Sequence, residues 1–221
     1  MTDTPVSAAL FDIDGTLADS NYLHVEAWHH AFEDMGVRVD AWRIHRGIGQ
    51  DSARLLSSLV GDRDDEWLEQ AKDLHSTYYK QLTSRLYPFT DAAGLLQALA
   101  DRGVHVVLAT SAPDDELEIL LKALDADAAI HATTSADDVD AAKPEPDIVA
   151  VALDKAGATA QNAVFIGDSV WDMKAAVAAG VRPFGVRSGG VSEAELVDAG
   201  AVRVFDDPAA LLGNLDALDL G

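Results

Sequence analysis

Short hydrophobic runs recur along the chain, and each is followed by glycine, aspartate or serine and then by a segment of helical periodicity. The runs occupy residues 7–11, 104–109, 163–166, 181–186 and 201–205. Helical periodicity fits residues 91–101, 114–124, 146–156, 170–179 and 192–199. Strands that alternate with helices form parallel sheets with helical crossovers. The pattern therefore predicts an α/β fold with a Rossmann-like parallel sheet.

Residues 17–86 break this alternation, because they contain no convincing strand. Helical patterns cover residues 22–35, 50–60 and 64–84, and the first two end at Gly36 and Gly61, as helices commonly do. We expect residues 17–86 to form an α-helical insert. The core domain would then consist of residues 1–16 and 87–221.

Composition narrows the classes of function. The 221 residues include 38 acidic and 16 basic side chains, for a formal net charge of −22. Nucleic acids are bound by clusters of Lys and Arg, so we expect no nucleic-acid partner, and an anionic membrane surface would repel the chain. The absence of cysteine excludes disulfides, thiolate-bound zinc and a thiol nucleophile. Apolar runs are far shorter than the roughly 18 residues that span a membrane, and we expect a cytoplasmic protein.

Polar side chains concentrate where the predicted strands end, which is where parallel sheets bind ligands. A single aspartate at such a place is commonly a helix cap or turn residue, but several converging carboxylates repel one another. A divalent cation relieves that repulsion, and an all-oxygen ligand set without sulfur favours Mg²⁺. The residues concerned are Asp12, Asp14, Thr110, Ser111, Lys143, Asp168 and Asp172.

Four segments of the chain resemble, in order, the four motifs of the haloacid dehalogenase superfamily. Residues 11–20 (FDIDGTLADS) resemble the first motif, and Thr110, Lys143-Pro144 and residues 167–172 (GDSVWD) resemble the other three. The resemblance spans the whole chain. The helical insert is similar to the small cap of phosphoglycolate phosphatases, sugar-phosphate phosphatases and β-phosphoglucomutases. The resemblance implies a Mg²⁺-dependent phosphatase that acts on a small phosphorylated metabolite.

The resemblance also implies catalytic roles. Asp12 would be the nucleophile that forms an aspartyl-phosphate. Asp14 would be the general acid and base, which protonates the leaving alcohol and then activates water. Lys143 and the Thr110 hydroxyl would hold the transferring phosphoryl group. Dehalogenases like the founding member lack an acid two residues after the nucleophile, so Asp14 argues against dehalogenation.

The same resemblance implies the metal ligands. Mg²⁺ would be held by Asp12, Asp168 and the main-chain carbonyl of Asp14. Asp172 would lie outside the ligand shell or steady Lys143.

Candidates for substrate binding lie mainly in the predicted cap. His24 and Trp28 share one face of a helix, and the surrounding segment resembles the cap entry of β-phosphoglucomutases, where the corresponding histidine couples cap closure to the general acid. His24 could face the cleft or simply pack, whereas we expect Trp28 to lie in a core. Arg46 and Gln50 are expected in a loop that resembles the cap specificity loop. Ser111 is a weaker candidate, because serines at strand ends commonly cap helices.

Two other functions stay open at this stage. One is a phosphosugar mutase. The chain departs from the β-phosphoglucomutases that it resembles, because they place an Arg after the cap glycine and a Lys-Asn pair after the second motif, where this chain has Gln50 and Pro113-Asp114. The fourth motif is also of the phosphatase form. A non-catalytic ligand-binding protein on the same fold is the other alternative, although it gives no reason for a nucleophile beside an acid.

Overall fold

The computed structural model describes residues 5–135 and 143–220. Contacts divide the chain into two compact units: a core unit of Met1–Asp19 with Tyr87–Gly221, and a cap unit of Ser20–Leu86. The sequence-based prediction had placed the insert at residues 17–86.

A parallel sheet forms the centre of the core unit, which confirms the predicted fold class. Within the described residues six strands are paired in the order β3-β2-β1-β4-β5-β6. Five strands lie where the hydrophobic runs predicted them, and β3 was not predicted. The strands are β1 (Ala8–Phe11), β2 (His105–Leu108), β3 (Ile130–Thr133), β4 (Ala163–Gly167), β5 (Arg182–Val186) and β6 (Arg203–Phe205).

The helices follow the predicted spans closely, except that two short ones were missed. Those two are α2, which covers a segment expected to be a loop, and α10, which follows the last strand. In chain order the helices are α1 (Asn21–Asp34), α2 (Ala41–Gly47), α3 (Ser52–Val60), α4 (Asp65–Leu82), α5 (Ala92–Ala100), α6 (Asp114–Leu124), α7 (Asp147–Ala156), α8 (Val170–Ala178), α9 (Glu193–Asp198) and α10 (Pro208–Leu212). Among the helices of the described residues, none is long and apolar enough to cross a membrane.

The strand register brings three strand ends to one level. Phe11 at the end of β1 pairs with Leu108 of β2 on one side and with Ile166 of β4 on the other. The strand order reverses at β1, since β2 and β3 extend the sheet to one side and β4 to β6 to the other. Ligands bind at such a reversal point in open α/β sheets. Residues that follow β1, β2 and β4 are therefore brought together.

A tight loop carries the chain out of β1. The Ile13 carbonyl accepts hydrogen bonds from the amides of Thr16, Leu17 and Ala18. Gly15 adopts a φ of 75°, a left-handed conformation that glycine tolerates at little cost. The loop therefore turns sharply directly after Asp14.

The chain leaves and re-enters the core unit at paired positions. The Asp19 amide donates to the Tyr87 carbonyl at 2.9 Å, and the Phe89 amide donates to the Leu17 carbonyl at 2.9 Å. The two points at which the cap unit is inserted are thus joined by backbone hydrogen bonds within the core unit.

The cap unit has a hydrophobic cluster of its own. Trp28, Phe32, Ile44 and Leu56 are almost fully buried in it. The expectation that Trp28 packs in a core is therefore confirmed. The structure corrects the expectation that Arg46 lies in a loop, because Arg46 occupies the last turn of α2. A basic side chain there is favourable beside the free carbonyls of a helix end.

Candidate active site

Asp12 is the first residue after β1, and it is held in the plane of the sheet. Its amide donates to the Ile166 carbonyl of β4 at 2.9 Å. The residue is buried, and its side chain is only 9% exposed. A buried carboxylate requires a compensating charge.

Lys143 supplies a positive charge to that carboxylate. Its ammonium group contacts an oxygen of Asp12 and lies 2.7 Å from Oδ1 of Asp172, and all three side chains are buried. Burial by itself lowers the pKa of Lys143, but Asp12 and Asp172 raise it, and the net direction is upward. Lys143 is therefore charged at neutral pH and bridges the two acids.

The pKa of Asp12 is raised from 3.8 to about 7. Burial is the largest cause, and the charges of Asp172 and Asp14 raise the pKa further, while Lys143 lowers it. One lysine therefore does not fully compensate the acids around Asp12. A further cation beside Asp12 would favour its ionised form.

A cluster of three carboxylates could hold that cation. Among the described residues, Asp12, Asp168 and Asp172 each offer an oxygen within 4.8 Å of the others, and all three are buried. Buried carboxylate oxygens that carry negative charge are ligands of the kind that Mg²⁺ prefers. Oδ1 of Asp168 also accepts a hydrogen bond from the Thr16 hydroxyl at 3.2 Å, which fixes the orientation of that carboxylate.

Asp172 is committed to other partners. Its Oδ2 accepts from the Ser169 amide at 3.0 Å and from the Ser169 hydroxyl at 2.6 Å, forming a capping box at the start of α8. Its Oδ1 faces Lys143. Both oxygens are thus engaged, which favours the predicted role of steadying Lys143 over that of a metal ligand. Ser169 is therefore the N-cap residue of α8.

The loop after β2 contributes Thr110 and Ser111. Thr110 is buried, and its hydroxyl accepts from the Ala112 amide at 3.1 Å. Its carbonyl accepts a hydrogen bond from the Thr134 hydroxyl at 2.8 Å, a contact between positions 24 residues apart that has no sequence signal. Ser111 is half-buried beside it. Asp14, which follows β1, is also half-buried.

The remaining candidates, His24, Arg46 and Gln50, lie in the cap unit. Nδ1 of His24 is 3.1 Å from Nε2 of His75, and the His24 ring stacks on Tyr79 with centroids 4.1 Å apart. Gln50 donates to the Gly47 carbonyl at 3.3 Å. A role of these residues in substrate binding stays a prediction.

Comparison with known proteins identifies relatives over most of the chain. A family model described as haloacid dehalogenase-like hydrolase matches residues 9–186. A phosphoglycolate phosphatase from Rhodospirillum rubrum is 31% identical over 216 residues, which are 92% of this chain and 88% of that protein. The pyrophosphatase PpaX of Bacillus pumilus is 26% identical over 84% of this chain and 85% of its own length.

Among solved structures, a hydrolase from Pseudomonas syringae superimposes with a TM-score of 0.92 and 37% sequence identity. The superposition covers 96% of this chain and 98% of that protein.

Proposed function

This chain belongs to the haloacid dehalogenase-like hydrolase family, and we propose that it hydrolyses a small phosphate monoester with Mg²⁺ through a phosphorylated Asp12. Its relatives include a phosphoglycolate phosphatase and a pyrophosphatase, so the chain is a phosphatase of this family. One observation carries the finer proposal. The buried Asp12 carboxylate contacts Lys143 and lies within 4.8 Å of the Asp168 carboxylate.

In the first half of the reaction, an Asp12 oxygen attacks the phosphorus of the substrate. A bond forms between that oxygen and phosphorus, and the bond from phosphorus to the leaving alcohol breaks. Asp14 gives its proton to the leaving oxygen. The division into two displacements replaces one difficult step by two easier ones.

In the second half, a water molecule attacks the phosphorus of the aspartyl-phosphate. Asp14, now ionised, takes a proton from that water, and the bond from phosphorus to Asp12 breaks. Free phosphate and the Asp12 carboxylate are the products. Asp14 ends protonated, so the site is ready for another substrate.

Two side chains would hold the phosphoryl group during both steps. Lys143 is already charged and buried, so it opposes the negative charge on the phosphoryl oxygens without prior reorganisation. The Thr110 hydroxyl is fixed by its loop and would donate to one of those oxygens. Asp172 would keep Lys143 in place through its 2.7 Å contact.

Asp12, Asp168 and the main-chain carbonyl of Asp14 would hold Mg²⁺. When bound, the ion neutralises the acids and draws negative charge from the phosphoryl group. The raised pKa of Asp12 supports this assignment, because Lys143 alone leaves the acidic cluster undercompensated.

The substrate would be a small phosphorylated metabolite, either a sugar phosphate or a phosphoglycolate-like acid. The cap unit would choose between them. Arg46 could pair with a carboxylate of the substrate, whereas Gln50 and His24 could hydrogen-bond to hydroxyl groups.

The test is a panel of phosphate esters assayed for released phosphate with and without Mg²⁺. The panel includes 2-phosphoglycolate, several sugar phosphates, pyrophosphate, and β-glucose 1-phosphate with a bisphosphate primer. We expect Mg²⁺-dependent phosphate release that Asp12→Asn abolishes and that Asp101→Asn, at an exposed position in the core unit, leaves intact. Glucose 6-phosphate formed without free phosphate would indicate a mutase instead. Binding of a panel member without turnover of any of them would refute the proposed phosphatase activity and support a ligand-binding protein.

A further inference from the structure

The turn after β5 lies at the same edge of the sheet as the residues described above. It is a 3-10 turn formed by Arg187–Gly189, and it is called the β5 turn here. No role was assigned to it from the sequence. Two of its residues contact segments that carry Asp168 and Asp14.

Gly189 packs directly against the carboxylate of Asp168. A Cβ atom built on Gly189 would lie 1.6 Å from Oδ2 and 2.4 Å from Cγ of Asp168, far inside any permitted contact. The φ of Gly189 lies outside the left-handed region. Glycine is therefore required at this position by space, because the Asp168 carboxylate occupies the volume of a side chain.

Contacts on both sides fix the Asp168 carboxylate. The Thr16 hydroxyl donates to Oδ1 at 3.2 Å, and the backbone of Gly189 lies against Oδ2. A side chain held in this way does not need to reorient when it takes up a ligand. Such support around metal ligands contributes substantially to metal affinity.

Ser188 holds the segment that carries Asp14. Its hydroxyl donates to the Gly15 carbonyl at 2.7 Å across 173 positions of sequence. Gly15 directly follows Asp14 and has a left-handed backbone. The hydrogen bond therefore fixes the Gly15–Thr16 peptide, one peptide group beyond the Asp14 carbonyl, and with it the direction in which the chain leaves Asp14.

The β5 turn is itself anchored. Nε of Arg187 lies 3.1 Å from Oδ1 of Asp206, and a second guanidinium nitrogen contacts the same oxygen. Asp206 directly follows β6. The pair is exposed, so it adds little to stability. Its effect is to hold the β5 turn at one orientation relative to the neighbouring strand.

We propose that Ser188 and Gly189 are positioning residues for the Mg²⁺ site. They hold the Asp168 carboxylate and the Gly15–Thr16 peptide, which directly follows the peptide of the Asp14 carbonyl, at a fixed separation, so that the two ligand groups that follow β1 and β4 meet one ion. The proposal rests on the proposed function for the identity of the metal. It goes beyond that function because it assigns the β5 turn a role in metal affinity.

The first test removes the Ser188 hydroxyl. Mg²⁺ affinity is measured without substrate, from the rise of Tm across a Mg²⁺ titration, and kcat and KM are measured separately. We expect Ser188→Ala to weaken Mg²⁺ binding by about 10-fold and to lower kcat, with KM unchanged at saturating Mg²⁺. Ser188→Thr keeps the hydroxyl and should restore both quantities.

The matched control is Ser58→Ala in the cap unit. Ser58 donates its hydroxyl to the Leu55 carbonyl at 2.8 Å, so the substitution removes a hydrogen bond of similar length and type. We expect Ser58→Ala to have the same Mg²⁺ affinity and the same kcat as the wild-type protein.

The second test fills the space beside Asp168. Gly189→Ala should weaken Mg²⁺ binding by about 100-fold or more, because the Asp168 carboxylate must move. If this variant does not fold, Ser188→Ala and Ser188→Thr decide the question.

Two results would overturn the proposal: unchanged Mg²⁺ affinity in Ser188→Ala, or a lower Tm at every Mg²⁺ concentration with no change in the midpoint. Failure of the proposed function is separate. A wild-type protein without phosphatase activity would refute the function, while the Tm titration would still report on the β5 turn.

Discussion

Nζ of Lys143 lies 2.7 Å from Oδ1 of Asp172, and the two side chains are 3% and 0% exposed. The same ammonium group contacts Asp12, which comes from a different strand. One buried cation thus joins the segments after β1 and β4. Removal of one member of such a group leaves the others buried without compensation.

Lys143→Met should therefore destabilise the core unit as well as abolish activity. We expect a loss of about 3–5 kcal/mol in the free energy of unfolding, measured by urea denaturation of metal-free protein. Addition of Asp172→Asn should recover part of that loss, because one uncompensated charge is removed. Strictly additive losses in the double variant would show that the lysine and Asp172 are energetically independent.

Asp12→Asn should stabilise the metal-free protein at alkaline pH. The pKa of Asp12 is raised from 3.8 to about 7, chiefly by burial. The folded state therefore binds this proton more tightly than the unfolded chain does. The resulting stabilisation is complete below the unfolded pKa and is lost as pH rises through the folded pKa.

Above that range the wild type carries a costly buried charge that the asparagine lacks. We expect the Tm of Asp12→Asn to exceed that of the wild type at about pH 8, with a difference that shrinks toward about pH 5. Thermal unfolding in the presence of a chelator measures both, and Asp101→Asn supplies the baseline for an exposed position. A Tm difference between the two proteins that does not change with pH would contradict the raised pKa of Asp12.

Asp14→Asn should accumulate phosphorylated protein with an activated substrate such as p-nitrophenyl phosphate. A good leaving group needs no proton from Asp14, whereas attack by water needs Asp14 as the base. Loss of a general base slows that second step by about 10²–10⁴-fold. Mass spectrometry of peptides should find the phosphoryl group on Asp12. Asp14→Asn with the turnover of the wild type and no adduct would contradict the acid-base role.

Trp28→Ala should destabilise the cap unit. Trp28 is 3% exposed and stacks on His75 with centroids 4.2 Å apart. Loss of a buried tryptophan costs about 3–5 kcal/mol. Hydrogen exchange should therefore become faster in residues 20–86. Trp42→Ala is the matched control, because Trp42 is 67% exposed and should give almost no change.

Strong local signals made most of the core unit predictable. Five strands and most of the helices between them follow hydrophobic runs and clear turn residues. The edge strand Ile130–Thr133 was not predicted, because its residues are half-buried or exposed and its hydrophobic pattern is therefore weak. The helix Ala41–Gly47 was not predicted for a related reason, since only Ile44 and Gly47 in it are buried.

The candidate site was predictable where residue type and strand ends coincide. Asp12 and Asp168 belong to this class, whereas Lys143 precedes a predicted helix and was selected by the motif resemblance. The structure brings the three side chains together. The contact of His24 with His75 was not predictable, because it joins positions 51 residues apart without a charge or spacing signal. Ser188 and Gly189 had a usable signal. They follow a predicted strand, and the strand-end rule that selected Asp168 applies to them equally.

The hydrogen bond from the Asp19 amide to the Tyr87 carbonyl at 2.9 Å has an evolutionary consequence. It closes the core unit at the base of the insert, so the catalytic strand ends do not depend on what the intervening segment contains. Residues 20–86 can then diverge, or be exchanged as one contiguous cassette between genes, while the phosphoryl-transfer machinery keeps its register. A change of substrate preference can thus arise within residues 20–86 while this hydrogen bond and the end of β1 stay as they are.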